Sequence, residues 1–196
     1  MLEALLEIDK QWFIWINSHH CVAMDWTMWA LSQHWCIAAV IVVAYLLLVL
    51  RHEPRRWWLV LVGIALCFLL ADRGSVLLFK NTVCRLRPCH ELADVYDVYM
   101  FRTSCGGKYG FVSSHVANIF AVALFLMLRY WKKVARRWPL WLMILWGIAV
   151  SYSRSYLGKH YPGDVICGAL FGAIIGLIVW WVIGMIEKKS CKNETK

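Results

Sequence analysis

Long apolar runs alternate with short polar joints along this chain. The runs extend from about Trp26 to Leu50, from Trp57 to Phe79, from the cap at Val112 to His115 as far as Tyr130, from Pro139 to Tyr152 and from Pro162 to Ile186. Several approach or exceed the ~20 residues a helix needs to cross a bilayer. Backbone N–H and C=O groups in hydrocarbon must be satisfied within their own segment, so each run reads as a helix. The pattern predicts five transmembrane helices. Ahead of them, Leu5, Leu6, Ile8, Trp12, Phe13, Trp15 and Ile16 recur at helical spacing among Glu3, Glu7, Asp9 and Lys10. Such a Trp-rich amphipathic segment lies in the membrane interface or packs on the bundle, and both readings fit. The break after it falls at Asn17 to His20. Between the second and third runs, Asn81 to Phe111 is the only long stretch that is not apolar, which suits a lid or binding loop. Its Tyr96, Tyr99, Met100, Phe101 and Tyr109 read as interfacial aromatics of a solvated loop or as groups shaping lipid entry. The fold class expected is all-α: a polytopic membrane helix bundle of about five spans with an N-terminal interfacial amphipathic helix, forming one domain over residues 1–196.

Composition agrees. With 61% hydrophobic residues and 13 tryptophans in 196, the chain is too apolar for an ordinary soluble domain. The acidic start, Met1 to Glu7, lacks a basic region and a small-residue cleavage site, so no removable signal peptide is expected. The net charge of +9 raises the question of nucleic acid, but its placement answers it. Of 21 Lys and Arg, three lie in Arg51 to Arg56, five in Arg129 to Arg137 and four in Lys188 to Lys196. These clusters recur at alternate span ends, as cytoplasmic loops require, which excludes nucleic acid as the expected partner. Cys36, Cys67 and Cys167 fall inside apolar runs and read as small hydrophobes. Cys21, Cys84, Cys89 and Cys105 fall on the side opposite the basic clusters, which is oxidising in a bacterial periplasm. A disulfide there would join Cys105 to either Cys84 or Cys89; whether one forms is left open by the sequence. Spacing and the lack of nearby paired histidines argue against a zinc site.

The chemistry concentrates in Ser153 to Asp164, where Arg154, Lys159, His160 and Asp164 stand between two apolar runs. Ionisable groups beside hydrocarbon mark functional sites. Pro162 and Gly163 read as the first positions of the last helix, with Asp164 in its first turn and His160, a solvent-facing imidazole, just outside. A carboxylate so placed can hold one imidazole nitrogen and leave the other free as nucleophile or base. Asp72 and Arg73 stand near the outer end of the second span, and Arg73 shares a helical face with Lys80. Either an interhelical salt bridge or a supporting role beside a functional site accounts for them. His34 has no carboxylate neighbour in sequence and reads as structural or interfacial.

Three stretches together carry a resemblance. Lys80 is followed by six residues and Arg87-Pro88; Ser113-Ser114-His115 precedes an apolar helix; and Ser153-Arg154 is followed by five residues, His160, three residues and Asp164. This is similar to the three-part signature of the type-2 phosphatidic acid phosphatase superfamily. The outer two parts match at every defined position. The middle part departs, with Val112 where the family has proline and Ser114 where it has glycine. The resemblance implies that Lys80, Arg87, Ser113, Ser114 and Arg154 bind the phosphoryl group, that His160 attacks phosphorus, that Asp164 orients it and that His115 protonates the leaving oxygen. Phosphoryl transfer spreads negative charge over equatorial oxygens, and converging cations suit it. No metal or other cofactor is implied. The substrate class implied is a lipid phosphate, undecaprenyl diphosphate or lipid A in the first place, with phosphatidylglycerophosphate, phosphatidic acid, a soluble sugar phosphate or a non-catalytic lipid-phosphate binding or transport role as alternatives. The expected setting is the bacterial inner membrane with the site facing the periplasm. The oligomeric state is open.

Overall fold

A computed structural model describes the backbone of residues 1–194 and the side chains as far as Lys188. Most of the basic tail therefore lies outside the described side chains. In chain order the helices are α1 (Leu2–Ser18), α2 (Val22–Leu31), α3 (His34–Tyr45, prolonged by a π-helical turn Leu46–Leu50), α4 (Trp57–Gly74), α5 (Asn81–Val83), α6 (Pro88–Glu91), α7 (Ser114–Tyr130), α8 (Trp138–Tyr156) and α9 (Pro162–Glu194). A π-helical stretch, Ser75–Lys80, joins α4 to α5. The only β-pairing among the described residues is an isolated bridge between Leu86 and Tyr109.

Each predicted span has its helix. By length and apolarity alone, Pro54–Val83 and Pro162–Lys188 qualify as membrane-crossing, and the pair α2 and α3 qualifies if counted as one span. That pair is not the continuous helix expected from Trp26 to Leu50. It bends by 62° at the Ser32-Gln33 joint. There the Ser32 hydroxyl accepts a hydrogen bond from Arg154, and the Ser32 N–H turns back onto the carbonyls of Met28 and Trp29. A broken helix at membrane depth is tolerated where it lines a polar cavity.

The core forms around α7, which packs against α4, α8 and α9. Its partner face on α9 is a row of glycines at four-residue spacing. A Cβ on Gly168 would stand 2.8 Å from the Ser113 carbonyl oxygen, on Gly172 2.1 Å from that of Ala117, and on Gly176 2.4 Å from that of Ala121. Small residues at this spacing let two helices meet backbone to backbone in lipid. Phe125, Val179, Ile183, Val60 and Cys67 fill the space alongside. Leu69, Leu77, Leu145, Leu170 and Ile174 point outward and stay exposed, as a surface bathed in hydrocarbon requires.

On the face away from Ser113, Arg129 is buried rather than free. It holds Glu53 at 2.8 Å and Glu187 at 2.6 Å, and Lys133 joins Glu53 at 2.8 Å. One member of the predicted basic loop is thus an internal clamp between α3, α7 and α9.

Helix α1 packs on the bundle by one face, one of the two readings its pattern allowed. Leu5, Ile8, Trp12 and Trp15 face outward, exposed, while Asp9, Phe13 and Asn17, four residues apart, face the bundle. Phe13 is wholly buried against Tyr161, ring centroids 5.3 Å apart. The buried Asn17 amide donates to the carbonyls of Tyr99 and Tyr156 and accepts from the Tyr99 N–H.

Candidate active site

The α8–α9 connection carries the central pair. Gly158 ends α8 with φ +74°, where a Cβ would also lie 2.9 Å from the Tyr99 carbonyl, so glycine is needed on both counts. The N–H groups of Lys159 and His160 turn back onto the Arg154 carbonyl at 3.0 and 3.3 Å. Pro162 opens α9, and Asp164 in its first turn accepts the Tyr161 N–H at 3.1 Å, in the manner of a capping box. Asp164 is completely buried and His160 is 2% exposed, so the imidazole is not the solvent-facing group expected. Its Nδ1 stands 3.6 Å from Asp164 Oδ2 with no hydrogen-bond partner. The two are in register without being bonded, and catalytic contacts of this kind often close only around substrate. Burial, reinforced by Arg154, Arg87 and Lys80, drives the His160 pKa well below its ordinary value and keeps the imidazole neutral. A neutral ring has the lone pair a nucleophile requires.

The Asp164 carboxylate is held by a residue outside the signature. Arg85 Nη1 donates to Asp164 Oδ1 at 3.0 Å, and its Nη2 donates to Asp9 on α1 at 2.7 Å. Asp9 also accepts the Gly163 N–H at 2.7 Å. The same guanidinium lies 4.1 Å over the Tyr161 ring. Sequence reasoning missed both Arg85 and Asp9. The available signal was weak: a second arginine two residues before Arg87, and an acidic residue amid an apolar helical pattern.

The three cations of the signature are each anchored. Lys80 donates to Ser114 Oγ at 2.7 Å, and Ser75 Oγ lies 2.6 Å from the same atom. The hydroxyl that replaces the family glycine thus has an inward role of its own. Arg87 donates to the carbonyls of Cys105 and Tyr109 at 3.1 and 3.4 Å. Its loop is closed by a disulfide between Cys89 and Cys105, one of the two pairings the sequence left open, while Cys84 is free and exposed. Antiparallel pairing supports it, with Arg87 N–H on the Lys108 carbonyl and Gly110 N–H on that of Arg85. Arg154, 4% exposed, reaches Ser32 at the bend of α2 and α3. Lys80, Arg87 and Arg154 all act electrostatically on His160, so the structure brings the three predicted cations to one place.

Ser113 Oγ, Arg154 Nε and His160 Nδ1 are buried and make no hydrogen bond. Buried polar atoms without partners are rare enough to need a reason. Of the seven such atoms among the described residues, these three fall on members of one signature, with the charges of Lys80 and Arg87 close by, and an oxyanion would satisfy the donors among them.

His115, in the first turn of α7, stacks edge-on against His34, centroids 4.6 Å apart. His34 is therefore a neighbour of the site. Asp72 and Arg73 are exposed and form no ion pair with one another among the described residues. Asp72 nevertheless acts electrostatically on Lys80. Of the loop aromatics, Tyr99 stacks on His20 at 3.7 Å and donates to the buried Asp25 at 2.7 Å, and Tyr96 packs on the Phe13, Leu92 and Tyr161 cluster. Both tie the loop down. Among the described residues, Cys89, His90 and Cys105 could share a metal ion, but two of these ligand atoms are spent in the disulfide.

The family description "PAP2 superfamily" matches residues 57–188. A lipid A 4'-phosphatase of Bacteroides thetaiotaomicron is 34% identical over 93% of this chain and 80% of its own length. An undecaprenyl-diphosphatase of Sulfolobus acidocaldarius is 26% identical over 90% of this chain and 79% of its own. Among solved structures, the transmembrane PAP2-type phosphatidylglycerolphosphate phosphatase of Bacillus subtilis superposes with a TM-score of 0.66, covering 95% of this chain and 87% of that one at 18% identity, which is a likeness of fold.

Proposed function

The chain belongs to the PAP2 superfamily, and from that premise we propose that it is a membrane phosphatase acting on lipid A through a phosphohistidine on His160. The observation that carries the reading is the set of buried, unbonded polar atoms on Ser113, Arg154 and His160, with the charges of Lys80, Arg87 and Arg154 near enough to act on the imidazole. In the first step the His160 Nε2 lone pair attacks phosphorus, with Nδ1 toward Asp164. The bond from phosphorus to the leaving oxygen breaks, and that oxygen takes its electron pair and a proton from protonated His115. In the second, water attacks phosphorus and yields a proton to the now neutral His115, the P–N bond breaks, and inorganic phosphate leaves. Lys80, Arg87 and Arg154 meet the charge on the equatorial oxygens, the role a metal ion fills in other phosphoryl transfers.

Lipid A is chosen because the relative of that activity is the more similar of the two, 34% identical over 93% of this chain against 26% over 90% for the undecaprenyl-diphosphatase. The setting proposed is the bacterial inner membrane with the site at the periplasmic face. The Cys89–Cys105 disulfide, beside the site, favours an oxidising compartment, and the exposed basic residues Arg55, Arg136 and Arg137 gather at the other end.

The test is phosphate release by detergent-purified protein, with excess chelator, from lipid A, undecaprenyl diphosphate, phosphatidylglycerophosphate and phosphatidic acid. Release from lipid A is expected, falling by roughly three orders of magnitude or more in His160→Ala, as when a catalytic nucleophile is lost. Normal release by His160→Ala would remove it as nucleophile. Release from undecaprenyl diphosphate alone would reassign the substrate. Silence on all four, from folded protein, would leave lipid-phosphate binding without hydrolysis.

A further inference from the structure

A polar cavity of about 300 Å³ opens beside His115 and Arg154, on the side where the bend of α2 and α3 leaves space. Its remaining walls include Trp29, Gln33, Arg102 and Lys159. None of the described residues lining it is acidic, although three of them are cationic. Lys159 makes no hydrogen bond or ion pair with any described side chain. Arg102, at the exposed rim, lies 4.8 Å over the Trp26 ring, and its carbonyl accepts the Trp29 indole N–H at 3.3 Å, which fixes the loop that carries it. Neither cation belongs to the signature. Neither His160 nor Asp164 lines the cavity; His115, the acid that serves the departing oxygen, does. The space therefore lies beyond the scissile bond.

Resting on the phosphatase reading above, we propose that this cavity is the leaving-group subsite, and that Arg102 and Lys159 hold a second anionic group carried by the leaving group. Substrates with one phosphoryl group for His160 and a second acidic group beyond the scissile bond are then preferred to lipids whose leaving group is neutral. The cations alone explain the sign of the ligand, since bringing two ammonium or guanidinium groups to one cavity without a carboxylate is unfavourable until an anion enters. Gln33 and the Trp29 ring add hydrogen-bonding and stacking surface suited to a polar rather than an acyl group.

The experiment has two arms. In the first, kcat/KM is measured for lipid A bearing both phosphates against lipid A bearing only the 4'-phosphate, and for phosphatidylglycerophosphate against phosphatidic acid. Wild type is expected to favour the doubly anionic member of at least one pair by about tenfold or more, the discrimination of one charge-assisted contact. In Arg102→Gln/Lys159→Gln that ratio falls toward one, and Lys159→Arg restores part of it. The pair that responds distinguishes a sugar-borne phosphate from a phosphodiester. In the second arm, His160→Ala protein is titrated with pyrophosphate and orthophosphate, which reads the subsite without turnover. Pyrophosphate should bind more tightly, and the double substitution should abolish the difference. A wild type that does not discriminate, or a ratio unchanged in the double variant, overturns the proposal. Loss of turnover on every lipid with pyrophosphate preference intact would overturn the catalytic reading and leave the subsite standing.

Discussion

Asp9 lies 2.7 Å from Arg85, whose other guanidinium nitrogen holds Asp164 at 3.0 Å. A carboxylate eight residues after the first is thereby coupled to the side chain that faces the His160 imidazole at 3.6 Å. Asp9 accepts the Gly163 N–H as well, so it caps α9 at the turn where Asp164 is carried. The N-terminal helix is part of the active-site frame.

Replacing Asp9 by Asn should therefore lower kcat more than it raises KM. Removing the charge leaves Arg85 half-compensated in a largely buried place, and loss of such a supporting partner costs about 10–100-fold in activity. Asp9→Glu should recover part of the loss. A variant with full kcat and an intact helical circular-dichroism spectrum would reduce the Asp9–Arg85 pair to packing.

Ser114→Gly restores the residue that the family signature carries, yet it should impair this protein. The Ser114 hydroxyl accepts the Lys80 ammonium at 2.7 Å and meets Ser75 at 2.6 Å. A hydrogen bond to a charged group is worth about 1.5–3 kcal/mol, so KM for the phosphate substrate should rise by roughly tenfold. Ser75→Ala combined with Ser114→Gly should then cost little more than Ser114→Gly alone, a double-mutant cycle that reads the shared cluster.

Lys159 gives a pH dependence with a definite sign. Burial, followed by the nearby Arg154 and Arg87 charges, lowers its pKa to about 8. Its charge is present below that value and is lost as pH rises through it. KM for a doubly anionic lipid should thus climb between pH 7 and pH 9, and Lys159→Arg should flatten the climb because a guanidinium stays charged. A KM for wild type that is level across this range would exclude Lys159 from substrate binding.

Gly172→Leu should be among the most destabilising single changes in α9. Even a Cβ would stand 2.1 Å from the Ala117 carbonyl oxygen, and a larger side chain has to drive α9 away from α7. Thermal unfolding in detergent should shift down by several degrees or more, with activity lost in parallel, since Ser113 and Asp164 lie on the two elements being separated. Gly184→Leu, where a Cβ meets nothing within 4 Å, is the matched control and should be nearly silent.

Much of the site could be read before any fold was known. Lys80, Arg87, Ser113, Ser114, His115, Arg154, His160 and Asp164 stand at signature spacing, and charge within an apolar chain is conspicuous. The apolar runs located the helices for the same reason: in hydrocarbon a segment must satisfy its own backbone, so composition and local structure coincide. The glycine row on α9 was also readable as a packing face, because four-residue spacing places Gly168, Gly172 and Gly176 on one side.

Other features depend on which elements meet, and no local pattern encodes them. The bend between α2 and α3 is met by Arg154, on a helix more than a hundred residues away in sequence, which reaches Ser32. Arg129 looked like one cation of a basic loop until α3 and α9 placed Glu53 and Glu187 against it. His160 looked solvent-facing because it lies in a polar connection, but it is buried where that connection meets the backbone at Gly110. By itself, the sequence determined that the chain spans a membrane as helices and carries cations and histidines at the spacing of the family signature, since both are written in residue type and short-range spacing. Tertiary structure alone decided that Asp9 and Arg85 hold Asp164, that Ser114 holds Lys80, and that a cationic cavity opens beyond His115, because each is a contact across long sequence separations whose energy exists only once the helices pack.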